Sequence, residues 1–208
     1  MPVLDAAPAF AESAAQDGIE LVAQPTVDWF TESGHLGFER AAINRRDPAL
    51  KDPVTAAVPI LSAIYARLGG DPVVLRSLRA NYFLTVDLAH EPTGTLIELD
   101  ESKHFTSFRL QALELYPPDA TLGFDIEEYR ELCREWSRQT DNVDRAFAAK
   151  GFGFGGRQRE RAYRDSLLDL GASAMGLPPV RRVIALDGDG AAAYEREREP
   201  LAQLLKTG

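Results

Sequence analysis

Asp87, Glu98 and Asp100 are the residues whose types and spacing could do chemistry. Glu98 and Asp100 stand two apart in the run Thr95-Leu96-Ile97-Glu98-Leu99-Asp100, so on a β-strand they share one face. Residues 82–90 read as a preceding strand, and Glu91-Pro92-Thr93-Gly94 as the turn between the two. With Pro92 and Thr93 at the centre of the turn, residue 91 faces 94 and Asp87 faces Glu98. An odd-length loop would put Asp87 on the other face. Like charges opposed across a sheet are destabilising, and buried carboxylates persist only with a proton or a compensating cation. For a set of hard oxygen ligands, a divalent metal is the usual solution.

An Asp on one strand, a turn, Glu-x-Asp on the next strand and a His four positions on resembles the PD-(D/E)xK restriction-endonuclease-like superfamily. The resemblance is to the branch related to very-short-patch mismatch-repair endonucleases. It rests on Glu98-Leu99-Asp100-Glu101-Ser102-Lys103-His104-Phe105, within about residues 80–116, with a looser match near 157–187. It implies Asp87, Glu98 and Asp100 as ligands of Mg²⁺ or Mn²⁺. It also implies Lys103 or His104 beside the water or scissile phosphate, and Arg109 as a nucleic-acid contact on the following helix. The chain departs from the family pattern at Val86, where a Pro is usual, and at Glu101, where a Gly is usual. The position of the more common Lys, two after the Glu, is Asp100.

The elements that must position these groups come next. Residues 1–24, Ala-rich, read as a mobile tail or a weak first helix, and Trp29 to about Asn44 as a helix or a loop followed by one. Residues 54–68 carry apolar side chains at spacings of three and four and form a stronger helix. After the hairpin, residues 107–116 read as a helix stopped by Pro117-Pro118, and about 117–156 as a helical insertion. Residues 151–156, four Gly and two Phe, follow no apolar strand, so they are no dinucleotide loop. They read either as a structural loop tucking Phe152 and Phe154 into the core, or as a lid. As a lid, the aromatics would stack on a base while arginines hold phosphates. Arg157, Arg161 and Arg164 line one stripe of a helix over 157–170, a solvated basic face or a phosphate track. Residues 180–186 are a strand placed beside the hairpin, and 191–205 a terminal helix.

Composition narrows the function classes. The net charge of −9 argues against a general nucleic-acid coat. Residues 145–164 nevertheless hold a local balance of +5, which leaves −14 for the remainder. The single cysteine, Cys133, excludes an internal disulfide and a cysteine-based zinc site, and its helical spacing from Tyr129 and Trp136 makes it a packing residue. No apolar run is long enough to span a bilayer and no N-terminal signal pattern is present, so a cytoplasmic location is expected. The expectation is a single α/β domain over residues 25–208, with a small mixed sheet around a catalytic hairpin flanked by helices. Its function would be that of a metal-dependent nuclease, with DNA as the favoured substrate. The alternative is a nuclease-like but catalytically silent module that binds nucleic acid or protein.

Overall fold

A computed structural model describes residues 6–143 and 146–206. Residues 1–5, and Arg145 of the basic stretch, lie outside the described residues. The chain is mixed α/β. Its helices are α1 (Ala6–Gln16), α2 (His35–Arg45), α3 (Pro48–Arg67), α4 (Pro72–Ser77), α5 (Ser107–Leu113), α6 (Ile126–Thr140), α7 (Arg157–Ala174) and α8 (Gly190–Lys206). Its strands are β1 (Val22–Ala23), β2 (Thr26–Thr31), β3 (Phe83–Thr85), β4 (Leu88–His90), β5 (Thr95–Asp100) and β6 (Arg181–Ile184). The main sheet runs β1-β4-β5-β6, and β2 pairs with β3 in a second, two-stranded sheet. No helix among the described residues is long and apolar enough to cross a membrane.

The hairpin has the register that places Asp87 opposite Glu98: Leu88 pairs with Ile97, Ala89 with Leu96 and His90 with Thr95. The Gly94 N–H donates to the Glu91 carbonyl across the turn (3.2 Å). β6 lies parallel to β5, with Arg182 in register with Glu98. A parallel neighbour requires a long crossover, and α5, α6 and α7 supply it.

The stretch 82–90, read as one strand, divides at Val86 and Asp87. β4 stays beside β5, whereas β3 departs with β2. The pairing partner stays continuous through the break. Gln24 donates to the Asp87 carbonyl (2.9 Å) and Val86 to the Pro25 carbonyl (3.0 Å), linking the β1–β4 ladder to the β2–β3 ladder. The long antiparallel pair therefore bends away from β5 at this point. The sheet opens, and the C-terminal half of β5 gains a cleft on that side.

Two apolar clusters enclose the sheet. One contains Phe10, Leu88, Ile97, Leu99, Val183, Tyr194 and Leu201, and joins the sheet to α1 and α8. The other gathers α2, α3, α5, α6 and α7 around Trp29, Phe38, Leu61, Ile64, Phe105, Leu113 and Leu167. Of the expectations for the flanking segments, one needs correction and two hold in part. Of the two readings for the N-terminal stretch, residues 6–16 take the helical one, and Phe10 packs edge-on against Tyr194 (5.3 Å). Trp29 and Phe30 lie on a strand, β2, whose ends Thr26 and Thr31 pair with Thr85 and Phe83 of β3, and the expected helix begins only at His35. The helical stretch expected within 117–156 contains α6, which packs as its apolar spacing predicts and buries Tyr129 and Cys133 beside Phe105. Burial pushes the Cys133 thiol up to about 12, so it stays protonated near neutral pH and unfit as a nucleophile.

Candidate active-site cleft

Where β3 parts from β5, a cavity of about 270 Å³ forms over the strand ends and the first turns of α7. Asp87, Glu98, His104, Arg157, Arg161 and Arg164 line it, together with Glu160 and Asp165. Its apolar walls are Phe30, Leu84 and Leu168, with Thr85 beside them. The structure thus gathers two of the three sequence-assigned carboxylates, the histidine and all three helix arginines around one space.

Asp87 and Glu98 lock the break in the strand. Glu98 Oε1 accepts from the Asp87 backbone N–H (3.2 Å), and Asp87 Oδ2 accepts from the Leu99 N–H (2.9 Å). Each carboxylate thereby replaces a ladder bond lost where β3 departs. Glu98 is buried, and its carboxyl is held well above the usual range, by burial first and by neighbouring Asp87 second; Arg182 opposes both. A buried acid beside a second acid favours a proton or a cation.

Asp100 lies elsewhere. It shares the Glu98 face of β5 but is enclosed by three donors: Arg182 Nη1 (3.0 and 3.1 Å to its two oxygens), His104 Nδ1 (2.8 Å) and the Tyr129 hydroxyl (3.0 Å). Burial pushes its carboxyl up, but the Arg182 guanidinium and then His104 outweigh it and hold Asp100 well below the usual range. Arg182 also reaches Asp169 (2.6 Å) and Asp165 (3.3 Å). Arg109, expected at a nucleic-acid surface, is instead buried in the same network. It donates to Asp169 (2.6 Å) and Tyr116 (2.9 Å), because α5 faces α7 across the core. The Lys103 ammonium pairs with Glu101 (2.6 Å) and does not line the cavity.

The three-carboxylate metal set is therefore not assembled. Among the described residues no group of three or more His, Cys, Asp or Glu side chains is arranged to hold a metal. The reason is Arg182, which β6 delivers beside Asp100. What is assembled is a carboxylate pair, and Mg²⁺ is commonly held by one or two carboxylates with waters and substrate phosphate. Asp87 and Glu98 fit that mode.

Sequence reasoning missed Asp165, Glu160 and Arg182. The helical spacing of Glu160, Asp165 and Asp169 against Arg157, Arg161 and Arg164 carried the signal for the first two. The pair Arg181-Arg182 on an apolar strand carried it for the third. With all groups ionised and His104 neutral, the lining holds four carboxylates against three guanidiniums, a net −1. Glu160 engages Arg164 (2.7 Å) and Arg157 (3.6 Å) from within the stripe. A proton on Glu98 makes the lining neutral, and a divalent cation makes it +1.

Fold and cleft together define a mixed α/β protein with an acid–arginine cavity at the open edge of its sheet. A family model described as a family of unknown function (DUF7255) matches residues 63–151. That span runs from within α3 to the loop before α7, so it takes in Asp87, Glu98, Asp100 and His104 but not the α7 arginines. No curated protein and no solved structure matches the chain.

Proposed function

We propose that the cleft is the active site of a metal-dependent phosphodiesterase of the PD-(D/E)xK restriction-endonuclease-like kind, acting on nucleic acid, with DNA the first substrate to test. One observation carries this reading. The carboxylate pair, a histidine and three arginines from sequence-distant elements line a single cavity of about 270 Å³. The resembling architecture supports it, since a hairpin, a helix and a parallel strand succeed one another in β4, β5, α7 and β6.

Asp87 and Glu98 would hold Mg²⁺ or Mn²⁺, which supplies polarisation of a phosphoryl oxygen and a lowered pKa for bound water. Arg157, Arg161 and Arg164 neutralise and orient the phosphate backbone. Asp100 fixes the His104 ring through Nδ1, which leaves Nε2 to accept or return a proton at the cavity wall. Asp100 is thus a positioning residue in this mechanism. A cytoplasmic location belongs to the same proposal, and the buried, unpaired Cys133 agrees with it.

The test is thermal unfolding with Mn²⁺, Mg²⁺ and chelator, followed by cleavage of labelled DNA and RNA, on wild type and Glu98→Gln. A site filled at about 100 times its dissociation constant adds about 2.7 kcal/mol. The expected result is a metal-dependent rise in wild type, absent in the variant, with cleavage lost. Normal cleavage by Glu98→Gln would sink the assignment. The second reading, a silent anion-binding module, is favoured by the capture of Asp100 by Arg182. It predicts oligonucleotide binding with no thermal response to metal.

A further inference from the structure

We infer that Phe154, on the loop that leads into the arginine wall of the cleft, is a base-stacking platform, and that the nucleic acid taken there is single-stranded. This rests on the reading of the cleft as a nucleic-acid site and adds the strandedness of the substrate.

The glycine-rich loop divides its two phenylalanines. Phe152 is buried, packed edge-on against Tyr65 (4.9 Å) and tilted against Tyr163 (6.1 Å). Phe154 is 78% exposed, the most exposed of the large apolar side chains among the described residues. The exposure comes from a fixed backbone. Arg159 donates to the Phe152 carbonyl (2.8 Å) and the Phe154 carbonyl (3.2 Å), so one guanidinium clamps both residues. Ala149 donates to the Gly153 carbonyl (3.0 Å) and Gly153 to the Ala149 carbonyl (2.9 Å), closing the loop from its other side. Gly153 (φ 66°) and Gly155 (φ 65°) bracket Phe154 in the left-handed region, which turns its side chain out of the path that Phe152 follows inward.

Position supplies the ligand. Phe154 stands three residues before Arg157, the first of the three arginines in the cavity wall. The other exposed aromatics among the described residues are Tyr82, Phe83 and Phe147. Phe147 precedes the loop, and Tyr82 and Phe83 precede the wall residues Leu84 and Thr85, with Phe83 lining a separate cavity beside Asp28 and Arg45. An aromatic face next to a line of guanidiniums is the arrangement that binds single strands, because an unpaired base offers its face while its phosphates meet the cations. A duplex keeps its bases stacked on one another and has no free face for Phe154.

The experiment is fluorescence anisotropy on the full chain in chelator at low salt, so that no strand is cut. The probes are a labelled pyrimidine-rich oligonucleotide of about 12 nucleotides, within the usual span of such sites, and its matched duplex. Wild type, Phe154→Ala, Phe154→Trp and Arg161→Ala are compared, each checked for unchanged unfolding temperature. The expected result is tighter binding of the single strand and a loss of about tenfold to a hundredfold in Phe154→Ala at unchanged salt slope. Phe154→Trp keeps the affinity, and Arg161→Ala weakens binding with a shallower slope. Single-strand affinity equal in wild type and Phe154→Ala overturns the stacking role and leaves the nuclease reading standing. So does a preference for the duplex. Concentration-dependent self-association lost in Phe154→Ala, with binding unaltered, reassigns the residue to a protein contact. No binding of either probe by wild type overturns this inference and the nucleic-acid reading together.

Discussion

Glu98 and Asp100 differ by one turn of the pleat, yet their environments drive them in opposite directions. Glu98 keeps its proton more readily folded than unfolded. Its raised pKa therefore makes stability fall as pH rises from the unfolded carboxylate range toward the native value. Glu98→Gln removes that dependence. It should unfold at a higher temperature than wild type near neutral pH, with the gap closing by about pH 4; calorimetry across pH reads this, and a gap that widens on acidification contradicts it. Asp100 has the reverse sign: its lowered pKa adds stability that is present above the ordinary range and lost as pH falls through the native value. Asp100→Asn leaves the buried Arg182 partly uncompensated and should cost about 3–5 kcal/mol in denaturant unfolding. His104→Ala, whose side chain is partly exposed, should cost far less stability but, under the proposed mechanism, abolish cleavage. Equal stability losses in the two variants would remove the distinction between positioning and catalytic roles.

At the scale of elements, α7 sets the charge of the cleft wall. Its spacing of four then three puts Arg157, Arg161 and Arg164 on one wall, and Glu160 between them offsets part of their charge. Replacing Arg161 by Ala should weaken oligonucleotide binding and reduce the slope of log affinity against log salt by about 0.7 for a single strand. A salt titration of wild type and variant checks this, and an unchanged slope would take Arg161 off the phosphate path. Much of this element was legible in the sequence, because helical spacing and charge are local properties. So was the hairpin register, which the turn Glu91-Pro92-Thr93-Gly94 sets. The break at Val86 and Asp87 was not legible, because it depends on β2, a partner some sixty residues earlier that carries β3 away. The capture of Asp100 was hidden for the same reason: Arg182 arrives 82 residues later, through the crossover and β6. Phe152 and Phe154 are equivalent by type, and only Arg159 and the paired backbone show which of them turns inward.

For the whole molecule, the sheet separates what holds the fold from what the cleft does. α1 and α8 cover one side through Phe10, Tyr194 and Leu201, and none of these residues lines the cavity. Gly190 shows how close that layer is: a Cβ there would stand 1.8 Å from the Ala6 carbonyl oxygen, so any side chain would push α1 off the start of α8. Phe10 is fully buried, and Phe10→Ala should cost about 3–5 kcal/mol through lost transfer energy and the cavity left behind. Below its lowered unfolding temperature, the variant should bind the single-stranded probe with wild-type affinity and salt slope. The α7 wall rests on the other apolar cluster, and the Asp87–Glu98 lock is held by hydrogen bonds to the backbone of the hairpin. Chemical denaturation and anisotropy at one temperature measure both properties on the same sample. A loss of binding that tracks the loss of stability would mean that the α1–α8 layer holds the cleft in shape, and the two sides of the sheet would then be one cooperative unit.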